Sequence, residues 1–147
     1  MGTHITMRPI NDLDVNAVAE IDEKITDHED ISDWERRVFY YMSRDPDVAL
    51  VAEQGGKVVG FMLGEIRSGE FGLKEPSGWI GVVGVDPAAR GQAIGRKLLA
   101  ELMQRFQDRG AMSVRTLVDS DSQAQLLGFF EKSDFAATPM RMLERRL

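Results

Sequence analysis

The stretch that decides the fold is WIGVVGVDPAARGQAIGRKLLAELMQRFQDR, residues 79–109. Residues 79–85 form a short apolar, β-branched run typical of a strand, and from Ile94 to Phe106 the apolar residues recur at helical spacing. The loop between the two is short and rich in Gly and Ala. A strand that enters a helix through such a loop directs several unpaired backbone N–H groups to one place, where the helix dipole also favours negative charge. The stretch therefore predicts a binding site for an anion.

Composition limits what the chain can be and what it can bind. Its 147 residues are 43% hydrophobic, which suits one domain over residues 1–147. Acidic residues outnumber basic ones by 24 to 18, and the net charge of −6 argues against nucleic acid or an anionic membrane as the main partner. No apolar run approaches the roughly 20 residues of a membrane span and no leader pattern opens the chain, so we expect a cytoplasmic protein.

The chain contains no Cys and only two His residues, His4 and His28. Without Cys there is no disulfide, no thiolate metal site and no acyl group carried on an enzyme thiol. Two isolated His residues do not make a histidine metal site either. We therefore predict chemistry that uses no metal and no covalent intermediate on a thiol.

Hydrophobic spacing predicts an α/β fold. Six segments have the content of strands: 5–8, 49–53, 58–66, 79–85, 113–118 and 135–143. Four segments have helical spacing: 15–25, 32–42, 94–106 and 122–132. The helix between 79–85 and 113–118 makes those two strands parallel, and the remaining connections favour antiparallel neighbours. We expect a mixed, mostly antiparallel sheet flanked by about four helices.

Local signals set the ends of several elements. Asn11 is expected to cap the first helix, and Gly110 to end the third. Capping boxes are predicted at the pairs Ser32 with Glu35 and Ser122 with Gln125. The paired glycines of QGGK, residues 54–57, predict a tight hairpin between the second and third strands.

Two glycines interrupt the central strand. Gly81 and Gly84 lie inside the run 79–85, where a residue without a side chain weakens a strand. Glycine at such a position marks a bulge, or a place where a ligand or another backbone comes close. Both glycines therefore indicate that this strand departs from regular pairing just before the anion site.

Two segments resemble one known family. VDPAARGQAIGRKLL, residues 85–99, resembles the acyl-CoA-binding motif of the GNAT superfamily of N-acetyltransferases, and LLGFFEKSDF, residues 126–135, resembles the family's late helix and the turn after it. The resemblance implies a sheet that splays open after a bulge in the central strand, with acetyl-CoA in the gap. It assigns the pantetheine to the strand residues Val83, Gly84 and Val85. It assigns the pyrophosphate to the loop and helix start: Arg90, Gly91, Gln92, Ala93, Ile94, Gly95 and Arg96.

The chain departs from the family pattern at four positions. One is Asp134, which replaces the usual Gly of the turn after the late helix and tolerates a left-handed conformation better than most residues. Ala93 replaces the central Gly of the motif, and a left-handed φ there would cost about 1–2 kcal/mol. Gln123 replaces a frequent Asn, and we expect it to contact the cofactor. Phe130 replaces the frequent Tyr that protonates the departing CoA thiolate, so water, Tyr40 or Tyr41 would have to supply that proton.

Three other interpretations of the loop fit less well. A dinucleotide-binding fold requires GxGxxG spacing and a second nucleotide half, and neither is present. A Walker loop fails because the segment 91–95 is too short and Arg96 stands where Lys is needed. Small residues that serve only the close packing of strand and helix remain an alternative.

The resemblance leads to an N-acetyltransferase that moves acetyl directly to a primary amine: a small amine, a polyamine, a protein N-terminus or a lysine. A protonated amine is not a nucleophile, so a carboxylate must accept a proton. Glu65, on the strand next to 79–85, is the first candidate, and Glu75 and Glu70 follow. The alternative is a non-catalytic acyl-CoA-binding or protein-interaction module of the same fold.

Acidic residues also bear on the acceptor. The segment between the first two helices is strongly acidic and favours a cationic acceptor: Asp27, Glu29, Asp30, Asp33 and Glu35. A solvated surface is the other interpretation of this segment. Exposed edge strands further favour a homodimer.

Overall fold

The computed structural model describes residues 4–27 and 30–147, in two compact units that divide between Thr116 and Leu117. The predictions for His28 and Glu29 lie outside the described residues. The first unit contains the sheet and three helices, and the second contains one helix. None of the described helices has the length and apolar character that a membrane span requires.

The sheet has five strands in sequence order, β1-β2-β3-β4-β5. The strands are β1 (Ile5–Pro9), β2 (Ala49–Gln54), β3 (Lys57–Arg67), β4 (Ser77–Val85) and β5 (Ser113–Thr116). The first three pairings are antiparallel and only β4 and β5 run parallel. The prediction of a mixed, mostly antiparallel sheet is confirmed, because a helical crossover joins only the last two strands.

The β2–β3 hairpin forms where the sequence predicts it. Gly55 and Gly56 occupy its turn with φ of 60° and 77°. Two consecutive left-handed residues match the twist of the flanking strands, and glycine adopts that conformation without a steric cost. The turn therefore fixes the register that brings β3 beside β4.

Four helices are present in the described residues, as predicted. They are α1 (Val15–Thr26), α2 (Ile31–Met42), α3 (Ile94–Asp108) and α4 (Ala124–Lys132). The Asn11 side chain accepts a hydrogen bond from the Leu13 N–H at the start of the first helical segment. Gly110 follows α3 with a φ of 86° and donates its N–H to the Gln107 carbonyl. The helix end predicted at Gly110 is confirmed, whereas Asn11 caps the 3₁₀ helix Asp12–Asp14 that leads into α1 and not α1 itself.

The capping box predicted at Ser32 is wrong. α2 begins one residue before Ser32, and the Asp30 carboxylate caps it by accepting the Asp33 N–H at 3.0 Å. An Asp carboxylate competes well for a backbone donor because it is charged.

The capping box predicted at Ser122 is also wrong. Gln123 precedes α4 and makes no side-chain cap. The Asp119 carboxylate instead accepts the N–H groups of Asp121 and Ser122, in a turn that precedes the helix.

The predicted strand 135–143 does not form. Residues 135–147 contain neither strand nor helix, and Met142 and Leu143 are exposed. Pro139 lies in the middle of this segment and cannot donate to a ladder. The Thr138 hydroxyl accepts the Met140 N–H, which is a turn contact and not a strand pairing. The alternation of apolar residues here indicated a strand, but no neighbouring strand supports it.

The sheet of the first unit separates two layers of helices. On one face the α3 residue Phe106 packs where Gly64 and Gly78 leave room, since a Cβ on either glycine would stand 2.7 Å from its ring. On the other face the α2 residue Trp34 packs edge-on against Phe61 of β3, with ring centroids 5.3 Å apart. Side chains alternate along β3, so Glu65 lies on the same face as Phe61, toward α2.

The strand predicted to be central, β4, is the fourth of five in the sheet and is bulged at Gly81. Leu63 pairs with Val82 and Gly64 with Ile80, which leaves Gly81 as the extra residue. The parallel pairing with β5 ends at Ile80, whose carbonyl accepts the Thr116 hydroxyl at 2.9 Å. The bulge expected at this glycine is confirmed, and beyond it β4 continues without pairing to β5.

Candidate active site

The loop before α3 presents unpaired backbone donors. Within the described residues, the N–H groups of residues 91–96 have no hydrogen-bond acceptor. Gly91 and Ala93 turn the chain with φ of 87° and 58°. Arg90 and Arg96 are exposed beside these donors, and no described carboxylate pairs with either. Several N–H groups, a helix N-terminus and two free guanidinium groups together suit a diphosphate.

Ala93 adopts a left-handed conformation at the position where the family pattern has glycine. Its φ of 58° and ψ of 31° place it at the N-cap of α3, without a side-chain cap. For a residue with a Cβ, this conformation costs about 1–2 kcal/mol. The backbone N–H is retained, so the loop keeps its donor at some cost in stability.

Asp86 anchors this loop, and the sequence analysis missed it. Its carboxylate is 2% exposed and accepts the Ala88 N–H at 3.0 Å and the Lys24 ammonium at 3.2 Å. Burial opposes ionisation of the group, but these two donors outweigh it and lower the pKa of Asp86 below its usual value. An Asp directly before Pro87 is a helix N-cap signal that could have identified it.

Gln92 serves the loop through its side chain. Its amide donates to the Ala89 carbonyl and accepts from the Gln54 side chain on β2. Only its backbone N–H is available to a ligand. Ile94 is buried beneath the loop, and Gly95 is half-buried in the first turn of α3. These predicted pyrophosphate residues therefore offer backbone groups and not side chains.

The free edge of β4 is oriented by its pairing with β3. The Asp86 N–H donates to the Val59 carbonyl of β3 at 2.8 Å. Since backbone groups alternate along a strand, Gly84 faces β3 as well, and Val83 and Val85 direct their N–H and C=O groups away from it. The backbone of these two valines is thus oriented to bind an extended amide chain.

Gly84 itself has a packing role. A Cβ on this residue would stand 2.4 Å from the Phe61 ring, closer than any side chain tolerates. The glycine lets the aromatic core approach β4. Its place in a cofactor site stays a prediction.

An open pocket of about 690 Å³ lies on the sheet face that carries Glu65. The described residues that line it come from the end of α2, the end of β3 and the loop after β3: Tyr40, Arg44, Glu65, Ile66, Arg67, Ser68, Glu70 and Phe71. Tyr40 and Glu65 come from elements that are separate in sequence, so only the folded sheet creates this pocket.

Glu65 is the buried acid of this pocket, with 5% of its surface exposed. The Tyr40 hydroxyl donates to its Oε1 at 3.0 Å, and Arg67 Nε donates to the same oxygen at 3.1 Å. Within the described chain its second oxygen, Oε2, has no hydrogen-bond partner. The arrangement leaves one carboxylate oxygen for a ligand while the other fixes the position of the group.

The other two candidate acids are placed differently. Glu70 lines the pocket, is exposed, and accepts Arg67 Nη1 at 3.3 Å. Glu75 is exposed in the loop just before β4 and is not among the residues that line the pocket. The structure therefore brings Glu65 and Glu70 together through Arg67 and leaves Glu75 apart.

Tyr41 reaches the bulge of β4. A Cβ on Gly81 would stand 2.0 Å from the Tyr41 hydroxyl oxygen, so this contact requires glycine at the bulge. Burial first, and then the negative charge of Glu65, raise the pKa of the Tyr41 hydroxyl. Tyr41 therefore keeps its proton at neutral pH.

Gln123 and Phe130 belong to the second unit. The Gln123 Oε1 accepts the Asp119 N–H at 2.9 Å, so its side chain organises the turn before α4. Phe130 is 1% exposed and packs against the rings of Phe129 and Phe135, at centroid distances of 5.2 and 5.0 Å. Their contacts with a cofactor stay predictions.

The acidic segment between α1 and α2 is largely engaged in local structure. Asp33 pairs with Arg36 and Arg37, and Asp30 caps α2. None of the described acids in this segment lines the Glu65 pocket. No group of His, Cys, Asp and Glu suited to a metal ion occurs within residues 4–27 and 30–147.

The chain is similar in sequence to known proteins. A model of the acetyltransferase (GNAT) family matches residues 15–135. An acetyltransferase from Pectobacterium atrosepticum is 30% identical over 106 residues, which are 72% of this chain and 70% of that protein. A mycothiol acetyltransferase from Amycolatopsis mediterranei is 36% identical over 101 residues, which are 67% of this chain and 32% of that protein.

A solved structure shares the fold. Aminoglycoside N-acetyltransferase AAC(6')-Iy in complex with CoA matches 99% of this chain and 97% of its own, with a TM-score of 0.82 and 14% sequence identity. At that identity the likeness concerns the fold alone. Because the family model covers most of the sequence, the chain belongs to the acetyltransferase (GNAT) family.

Proposed function

We propose that this protein transfers an acetyl group from acetyl-CoA directly to a primary amine, with Glu65 as the proton acceptor. The observation that carries the proposal is the position of Glu65, which pairs across the sheet with Trp79, two residues before the β4 bulge. A buried carboxylate with one free oxygen thus lies close to the point where β4 loses its β5 neighbour. The acetyltransferase names of the relatives support the same reaction.

Acetyl-CoA is assigned to the groups that the first unit leaves unpaired. Its pyrophosphate would bind the N–H groups of residues 91–96, with Arg90 and Arg96 supplying positive charge. Its pantetheine amides would pair with the backbone of Val83 and Val85, as an added strand pairs with a sheet edge. On this assignment the thioester lies near the bulge.

The reaction then needs three proton transfers. Glu65 Oε2 accepts a proton from the ammonium, and the neutral amine attacks the thioester carbonyl carbon to form the C–N bond. As the C–S bond breaks, the electron pair stays on the CoA sulfur, which takes a proton from an acid, and the nitrogen gives up its remaining extra proton, which restores that acid. Direct transfer suits a chain that has no Cys to hold the acetyl group.

We assign to Tyr41 the proton that the CoA sulfur takes. The Tyr40 hydroxyl already donates to Glu65, whereas the Tyr41 hydroxyl faces Gly81 at the bulge and makes no hydrogen bond within the described chain. Phe130, where the family frequently has Tyr, has no proton to give. The contacts of the Tyr41 hydroxyl therefore support it best as the proton donor to the sulfur.

Tyr41→Phe is expected to lower kcat by about 10- to 100-fold, since it removes the proton donor and keeps the ring. The KM for acetyl-CoA should change less than about twofold, because the hydroxyl acts on the leaving group and not on binding. Steady-state kinetics and a thermal melt of the variant check both points. An unchanged kcat in a folded variant would assign the proton to water.

A non-catalytic acyl-CoA-binding module is the second candidate. It is favoured by the missing hydroxyl at Phe130 and by the contact of Glu65 with Arg67, which engages the proposed base. Thiol release from acetyl-CoA, measured against a panel of primary amines, separates the two. We expect release that depends on the amine and yields the N-acetyl product. Acetyl-CoA binding without amine-dependent release would support the binding module.

The acceptor class follows from the same pocket. A primary ammonium would be attracted by Glu65 and Glu70, which agrees with a cationic amine group on the acceptor. Small amines, polyamines, protein N-termini and lysines all present such a group. The cytoplasmic location and the homodimer expected from the sequence stay predictions.

A further inference from the structure

The charges of the Glu65 pocket are unevenly paired. Two carboxylates, Glu65 and Glu70, both accept from the single guanidinium of Arg67. The second guanidinium of the pocket belongs to Arg44, which is exposed and pairs with no carboxylate in the described chain. The Arg44 guanidinium is therefore the one charged group of the described pocket lining that is not in an ion pair.

Arg44 is also held in place. Its guanidinium carbon lies 4.6 Å from the centroid of the Tyr40 ring, the same tyrosine whose hydroxyl donates to Glu65. A cation stacked on an aromatic ring gains attraction from the ring face and keeps its planar fork of donors free at the edge. The Arg44 guanidinium thus stacks on Tyr40 in the pocket that the proposed base also lines.

A second guanidinium on the same sheet face lacks an acceptor. Arg115 of β5 pairs across the sheet with Trp79, which pairs with Glu65, so the three side chains share one face. Its Nη1 is buried and has no hydrogen-bond partner within the described chain. A buried charged donor without an acceptor is rare in folded proteins. Arg115 thus adds to this face a second guanidinium with a donor that no described group accepts.

The charge count of the pocket separates two kinds of acceptor. Arg44 and Arg67 contribute +2 and Glu65 and Glu70 contribute −2, so the lining is neutral. A simple ammonium would bring the occupied pocket to +1 and would meet carboxylates already engaged by Arg67. An acceptor that carries an anionic group as well keeps the pocket neutral, because the anion pairs with Arg44.

We propose that the acceptor is an amine that also carries an anionic group, a carboxylate or a phosphate, and that Arg44 binds this group while the amine meets Glu65. The proposal rests on the proposed acetyltransferase function and names its substrate class. Arg44 is a binding residue in this scheme and takes no part in proton transfer.

The test compares acceptors that differ only in the anion. Amino acids are paired with their carboxamides, and aminoalkyl phosphates with the corresponding amino alcohols, at several chain lengths, in the thiol-release assay. We expect kcat/KM to be at least about tenfold higher for the charged member of one pair, the difference that one charge-assisted contact supplies. The series that shows the preference identifies the anion as carboxylate or phosphate.

Variants of two arginines on α2 and just after it locate the contact. Arg44→Gln should lower kcat/KM for the preferred charged acceptor by about tenfold or more, mainly through KM, and leave its uncharged partner within about twofold. Arg37→Gln is the matched control, since Arg37 stacks on Trp34 at 5.0 Å but is paired with Asp33 and lies outside the pocket lining. This variant should leave kcat/KM unchanged for both the charged and the uncharged acceptor.

Two results would overturn the proposal. Equal use of both members of every pair, or an Arg44→Gln variant that weakens charged and uncharged acceptors alike, contradicts the anion contact and leaves the acetyltransferase function standing. The absence of thiol release with any amine, charged or not, contradicts the acetyltransferase function and this inference with it.

Discussion

Glu65→Gln is expected to lower kcat for amine acetylation by about 10²- to 10⁴-fold, the range that a lost general base commonly costs. The amide keeps the size of the side chain and an oxygen that accepts from Tyr40 and Arg67, but it cannot take a proton from the ammonium. The affinity for acetyl-CoA should stay within about twofold, because the residue lies apart from the groups assigned to the cofactor.

The pH profile makes this prediction specific. Amines such as the lysine side chain have pKa values of about 10.4, so the fraction of neutral amine rises with pH and the need for a base falls. The deficit of Glu65→Gln should therefore be largest near pH 7 and shrink toward pH 10. A deficit that is constant across this range would indicate a structural role for Glu65.

Glu70→Gln is the matched control for Glu65→Gln. Glu70 lines the same pocket and accepts from the same Arg67, but it is exposed and lies at the rim. We expect its kcat to change by less than about threefold, as for an exposed ion pair. If Glu65→Gln turned over normally, the base would be Glu70, Glu75 or water, and the Glu70→Gln and Glu75→Gln variants would separate these three.

Local sequence signals predicted those parts of the fold that local physics decides. The apolar run before the loop, the small residues within it and the helical spacing after it located β4, the loop with its unpaired N–H groups, and α3. Gly81 marked the bulge because a strand tolerates an interior glycine mainly where pairing is broken. Gly55 and Gly56 fixed the hairpin for a similar reason, since their φ values are positive.

Features that depend on distant partners could not be predicted in the same way. The strand expected at 135–143 had a suitable pattern, but a strand forms only where another strand pairs with it. The capping boxes failed because Asp30 caps α2 from two residues before Ser32, and because Asp119 already accepts the Ser122 N–H that the second box needs. Tyr40 and Arg67 contact Glu65 only in the folded chain, and nothing in the spacing of these residues announces that contact.

In the candidate site, too, local sequence predicted some features, and others depend on partners that are distant in sequence. The N–H groups of the loop follow from one continuous segment, and they were predicted together. The sequence ranked Glu65 first, but it did not separate Glu70 from Glu75, because only the folded chain shows that Glu70 lines the pocket and Glu75 does not. Arg44 was not singled out for the same reason, since its lack of a carboxylate partner is a property of the surrounding surface.

Gly95→Asp is expected to weaken acetyl-CoA binding by well over tenfold, or more than about 1.4 kcal/mol. Gly95 lies in the first turn of α3, next to the N–H groups assigned to the pyrophosphate. A carboxylate there would occupy the anion site and repel the phosphates at short range. An acidic residue in the first turn also favours the helix through its dipole, so the thermal stability of the variant should not fall. Titration calorimetry with acetyl-CoA, together with a thermal melt, measures both quantities.

Ala93→Gly is the control that separates repulsion from a general disturbance of the loop. It removes the Cβ at a φ of 58° and keeps the backbone N–H, so we expect acetyl-CoA affinity to be equal or higher and stability to rise by up to about 1 kcal/mol. The loss in Gly95→Asp should shrink at high salt, because part of it is charge repulsion. If Gly95→Asp bound acetyl-CoA within about twofold of the wild-type affinity, the pyrophosphate would have to bind elsewhere, and the free N–H groups before α3 would serve only the packing of strand and helix.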